Sequence, residues 1–155
     1  MSSPVPRLVL DTNVALDLFV FRDGGCADLM DALRSGQVQA VVDEACRREW
    51  LAVLDYPDLH LGDELKLSAG AAFDQHISLL APAMLAPPTG VRLPRCADPD
   101  DQKFLELALA AEARWLISKD KALLALARRT AREGWFDILI PSHWRLPETA
   151  SGDSR

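Results

Sequence analysis

Four short apolar runs alternate with longer stretches of helical character, and this alternation restricts the fold more than any other feature of the chain. The runs are RLVL at residues 7–10, VQAVV at 38–42, WLIS at 115–118 and DILI at 137–140. Helices are predicted over 14–21, 26–34, 44–54, 63–80, 101–113 and 121–132. Asp23-Gly24-Gly25 breaks the first, Gly36 ends the second, and the third stops before Pro57. Strands that alternate with helices imply a parallel sheet covered on both faces, an α/β fold. Residues 81–101 carry five prolines and a glycine and read as a loop. With 155 residues, 49% of them hydrophobic, the chain suits one domain of roughly 100–200 residues. That domain is expected over residues 1–146, with a disordered tail at 147–155.

Asp11 and Asp17 interrupt the only early apolar stretch, and nothing approaches the roughly 20 apolar residues of a membrane span. A cytoplasmic protein with no membrane partner is expected. Cys26, Cys46 and Cys96 are odd in number and match neither a disulfide framework nor a zinc-ligand pattern, so they read as free thiols. A net charge of −6 argues against a broad polyanion-binding surface, because phosphate contacts need Lys and Arg.

The acids are the informative residues. Ligands of open parallel sheets sit beyond the carboxyl ends of the strands. Asp11 directly follows the first run and Asp120 follows WLIS with one residue between, so both belong to that rim. Each could simply cap the next helix, but the pair points to a site. Glu49 has helical neighbours Ala45, Cys46, Ala52 and Val53, an apolar face on which a carboxylate loses hydration unless it is paired or metal-bound. Asp98, Asp100 and Asp101 crowd the start of another helix, where the dipole and the free N–H groups explain one acid but not three. Gathered carboxylates repel one another, so a pocket of them suits a divalent cation with a preference for oxygen, Mg²⁺ or Mn²⁺. Such an ion would polarise a phosphodiester and lower the pKa of a water.

In LVLDTNV, EACRREWLAVLDYP, DPDDQKFLELALAAEARWLISKD and ILIPSHW the chain resembles PIN-domain ribonucleases, in particular the stand-alone toxins of bacterial toxin–antitoxin pairs. The resemblance runs from Arg7 to about Trp144. It implies a three-layer α/β/α sandwich around a parallel sheet and a metal-dependent endoribonuclease acting on RNA. It also implies an antitoxin partner, and homodimers are common among such relatives. Asp11, Glu49, Asp101 and Asp120 match the four acidic positions that would be catalytic and hold one or two Mg²⁺ or Mn²⁺ ions. Asp98 is an accessory ligand, and the choice of the third main acid among Asp98, Asp100 and Asp101 stays open. Asn13 would orient Asp11, and Ser118, two residues before the last acid, would serve a similar supporting role. Lys119 and Glu112 depart from the pattern, standing where relatives often have glycine or another small residue. Lys103, Lys119, Lys121, Arg128 and Arg129 are candidates for phosphate contact.

Two other readings compete. A haloacid-dehalogenase-like phosphatase also ends its first strand in aspartate, but needs a second aspartate two residues later, and position 13 is Asn. A non-catalytic interaction module could keep the fold without turnover. His60, His76 and His143 show no ligand spacing and no nucleophile pattern.

Overall fold

RLVL forms β1 (Arg7–Leu10) in the computed structural model, which describes residues 5–147. Its last three side chains are all buried, as expected of a strand covered on both faces. The remaining strands are β2 (Gln39–Val42), β3 (Ile77–Leu79), β4 (Trp115–Ile117) and β5 (Asp137–Leu139). All pairings are parallel, in the order β3-β2-β1-β4-β5. Leu8 lies opposite Ala40 on one side and Trp115 on the other, so β1 is the central strand.

The chain leaves β1 for β2 and β3, then crosses back to β4 and β5 on the other side. Right-handed connections therefore send the helices of the two halves to opposite faces. The result is an α/β/α sandwich whose strand order reverses between β1 and β4. A crevice is expected at the carboxyl ends of those two strands.

The helices are α1 (Thr12–Leu16), α2 (Ala27–Ser35), α3 (Glu44–Leu54), α4 (Asp63–His76), α5 (Gln102–Ala110), α6 (Lys121–Leu124) and α7 (Ala127–Arg132). No helix among the described residues is long and apolar enough to cross a membrane.

Three expectations need correction. The helix expected over 63–80 ends at His76, and Ile77–Leu79 turns into the edge strand β3 paired with β2. The helix expected over 14–21 is α-helical only to Leu16 and continues as a wider π-helical turn, Asp17–Phe21. The helix expected over 121–132 is broken in two between Leu124 and Ala127. The tail expected at 147–155 lies, beyond Pro147, outside the described residues.

Phe19, Trp50 and Phe73 join α1's extension, α3 and α4. Trp50 stacks on Phe73 at 4.8 Å and meets Phe19 edge-on at 6.2 Å. Trp50 is 1% exposed, so it serves the core. The three cysteines are free and buried. Glu112, just after α5, adopts a left-handed backbone with φ of 56°. That conformation suits glycine, which is why a side chain there is a departure with a steric cost.

Candidate metal centre

Asp11 is placed by the sheet. Its N–H donates to the Ile117 carbonyl at 3.1 Å, extending the β1–β4 pairing one residue past the strand, and it then caps α1. One carboxylate oxygen, Oδ1, accepts from the Val14 N–H at 2.9 Å, while Oδ2 accepts a very short hydrogen bond from the Ser118 hydroxyl. Capping and site-building are therefore one arrangement. Ser118 is fully buried, and its Oγ also accepts from the Asp120 N–H at 2.9 Å. This single hydroxyl ties the acid after β1 to the acid after β4. Asp120 in turn caps α6, its Oδ1 accepting from the Ala122 N–H at 2.8 Å.

The proline-rich segment delivers the other acids. Pro99–Asp101 forms a tight helical turn ahead of α5, and Asp98 caps it through the Asp100 N–H at 3.0 Å. One ligand atom from each of Asp98, Asp101 and Asp120 lies within 4.8 Å of the others, the one such group among the described residues. Asp101 is the strained member: its Oδ2 is buried with no hydrogen-bond partner. Burial first, then the charges of Asp120 and Asp98, a hydrogen bond with Asp120 and the charge of Asp11, push its carboxyl up to about 7. Asp11 rises to about 6, chiefly because it is 3% exposed. The neighbouring charges of Asp120 and Asp17 add to that rise, against the Ser118 and Val14 hydrogen bonds.

Glu49 is not a member of this group. It is half-buried beside the covered α3 face of Cys46, Trp50 and Leu54, and both its oxygens are engaged. Oε2 accepts a very short hydrogen bond from the Thr12 hydroxyl, and Oε1 is ion-paired with Lys103, whose ammonium also donates to the Asp100 carbonyl. Asn13 is exposed, and Asp11 takes its two partners from Val14 and Ser118. Asp100 is exposed and lies outside the carboxylate group.

Compared with protein-family models, the chain matches the PIN domain over residues 7–122. It belongs to the PIN-domain family. No curated protein matches it. Membership covers β1 through the start of α6, and so every acid described above.

Thr12 and Asp17 have no site role in the sequence analysis, and Lys103 has a different one. Thr12 sits between two residues that were singled out, and its hydroxyl at the first turn of α1 was the available signal. Lys103, one of five candidates for phosphate contact, is instead paired with Glu49, which lies far away in the chain. Asp17 is a 7% exposed carboxylate within an apolar run, the same signal that marked Asp11, and it is ion-paired with Lys119. The residues present fit a divalent cation: the donors are hard carboxylate oxygens, and the buried Asp101 oxygen lacks any partner of its own.

Proposed function

We propose that the protein is a Mg²⁺- or Mn²⁺-dependent endoribonuclease, the toxin of a toxin–antitoxin pair working in the cytoplasm. The observation that carries this reading is the meeting of Asp98, Asp101 and Asp120 beside Asp11, at the crevice where a PIN-domain sheet reverses its strand order. Asp101, Asp120 and Asp98 would hold the ion, with Asp11 behind them and Glu49 at the edge. A bound divalent ion supplies positive charge to the scissile phosphate and makes a nearby water more acidic.

The chain's own residues do the rest. Val14 and Ser118 fix the Asp11 carboxylate, and Ser118 sets Asp120 against it. Thr12 and Lys103 hold Glu49. Lys119 and Lys121 bring cations to an otherwise acidic surface, where the backbone of a single strand needs them. Water adds to phosphorus, the bond to the 3′ oxygen breaks, and that oxygen leaves with a proton, giving a 5′-phosphate and a 3′-hydroxyl. An antitoxin restrains the enzyme, and a homodimer is compatible with this reading.

The test is cleavage of a panel of single-stranded RNAs with Mn²⁺, with Mg²⁺ and with EDTA, comparing the wild type with Asp11→Asn prepared identically. Metal-dependent cutting that disappears in the variant supports the nuclease. Equal cutting by both marks a contaminant, and Mn²⁺ binding without any cutting favours the non-catalytic module.

Ser118→Ala provides an independent check on how the site is held. It leaves the Asp11 Oδ2 and the Asp120 N–H without their partner. The expected loss is about 1–3 kcal/mol of stability and about 10–100-fold in Mn²⁺ affinity, read by thermal melting and calorimetry. Unchanged Mn²⁺ affinity would show that Asp11 and Asp120 act without this support.

A further inference from the structure

Next to the carboxylates a cavity of about 530 Å³ opens between the π-helical turn and the start of α6, lined chiefly by Asn13, Asp17, Phe21, Lys119, Asp120 and Lys121. Its size falls within the roughly 300–1,000 Å³ of small-molecule clefts. Asp120 belongs both to this cavity and to the carboxylate group, so an occupant would lie directly against the site.

Phe21 is the unusual wall. Val14 and Leu18 are buried, and at about 100° per residue an unbroken α-helix would place position 21 on their stripe. The π-helical turn winds more slowly, and Arg22 closes it in a left-handed conformation with φ of 52°. Phe21 is thereby swung off the core and left 55% exposed. Such turns recur at functional sites. Here the turn presents an aromatic face beside a phosphodiester-cleaving centre.

The polar walls match the same occupant. Lys119 is held by the buried Asp17 carboxylate, and Lys121 is exposed. Lys119 and Asp17 offset each other, so with Asp120 engaged by a cation the cavity would keep the positive charge of Lys121. Asn13 is exposed, and its amide carries both donors and an acceptor.

We infer that this cavity is a nucleotide subsite. One base of a single-stranded RNA stacks on Phe21, the Asn13 amide reads that base's edge, and the adjoining phosphate rests on Lys119 and Lys121. The inference rests on the nuclease reading for its substrate class. A lone aromatic among lysines and an amide fits a single-stranded nucleic acid, which binds by stacking and backbone charge. A protein helix would ask for a continuous apolar groove.

The experiment uses Phe21→Trp, Phe21→Ala and Lys121→Gln in the full chain. Position 21 is exposed, so these changes leave the core untouched. AMP, CMP, GMP, UMP and a short single-stranded RNA are titrated against Phe21→Trp, with the wild type, which has four native tryptophans, as background. Saturable quenching of the added indole is expected. Phe21→Ala should lower kcat/KM on single-stranded RNA by about tenfold or more, Phe21→Trp should retain it, and Lys121→Gln should weaken the salt dependence of binding.

Quenching by nucleotides in a protein that cuts no RNA would overturn the nuclease reading and leave the subsite standing. The subsite is overturned if the wild type cuts RNA, Phe21→Ala cuts the whole panel at the wild-type kcat/KM, and no nucleotide quenches Phe21→Trp. Quenching by a co-purified protein and by no nucleotide also overturns it, in favour of a protein-docking face.

Discussion

Asp101→Asn is expected to abolish the proposed RNA cleavage, by about 10³-fold or more, and at the same time to make the metal-free protein more resistant to heat. The first effect follows from the proposed ligand set. An ion stabilises a phosphoryl transition state by several kcal/mol, and each 1.4 kcal/mol or so is tenfold in rate. The second effect follows from the carboxyl's surroundings. Asp101 is pushed up to about 7 by burial and by Asp120 and Asp98, and its Oδ2 has no donor. At neutral pH without metal the folded state therefore divides about evenly between a protonated carboxyl and a carboxylate held against its preference, and above neutral pH the carboxylate dominates. An amide of nearly the same shape has no charge to repel and brings two N–H donors to a pocket of acceptors. The melting temperature of the metal-free variant should exceed that of the wild type, while addition of Mn²⁺ should raise the wild type and leave the variant almost unmoved. A simple folding defect would lower both quantities together. If the variant melts earlier than the wild type without metal, the carboxylates are not in tension. If it also keeps its Mn²⁺ response, Asp101 is not a ligand and Asp98 must take its place beside Asp120.

The parts of this site that were legible in the sequence are those a local signal places. Asp11 and Asp120 follow apolar runs that could only be strands, so their position at one rim followed from topology alone. Asp98 and Asp101 were visible as acids beyond what a helix start needs, yet which of them faces inward depends on the turn at Pro99, and the structure brings both to Asp120. Glu49 stands out in the sequence by its apolar neighbours Ala45, Cys46, Ala52 and Val53, yet Ala45 and Ala52 are exposed and the covered face of α3 runs through Cys46, Trp50 and Leu54 instead; its partners carry no sequence signal. Thr12 and Lys103 reach it from elements distant in sequence, and no periodicity encodes that meeting. The sheet has one strand more than the four apolar runs of the sequence. Ile77–Leu79 continues a helical pattern, and as an edge strand with Ser78 and Leu79 exposed it shows no buried alternation. The π-helical turn is hidden for a related reason: Val14 to Phe21 keeps an α-helical spacing of apolar residues, whereas the turn's packing against α4 and the pair of its buried Asp17 with Lys119 join it to elements distant in sequence.

The same tension gives the protein a stability profile opposite to that of a chain held together by carboxylate ion pairs. Asp11 ordinarily titrates near 3.8 and is raised to about 6 in the fold, and Asp101 is raised from 3.8 to about 7. Between those limits the folded state binds more protons than the unfolded state, so these two groups favour folding at low pH. Their contribution is lost as pH rises from about 4 through 6 to 7, and it is flat above that. For Asp11, which is almost fully buried, the difference between 3.8 and about 6 corresponds to about 3 kcal/mol. Asp101 adds in the same direction, by less per proton where water reaches it. A divalent ion reverses the trend, because it binds only the ionised carboxylates and competes with protons for them. Thermal melts at about pH 5 and about pH 8, with and without Mn²⁺, should therefore show a small metal effect at the lower pH and a large one at the higher. An Asp11→Asn, Asp101→Asn double variant should lose both the decline of the metal-free protein between those values and the metal's gain. Comparing the wild type with that variant cancels the titration of acids remote from the site and leaves that of Asp11, Asp101 and the neighbours whose charges they feel, Asp98, Asp120 and Asp17. A wild type that, relative to the variant, gains stability on raising the pH without metal would mean that Asp11 and Asp101 sit charged and satisfied in the fold, and the reason for assigning them a cation would be gone.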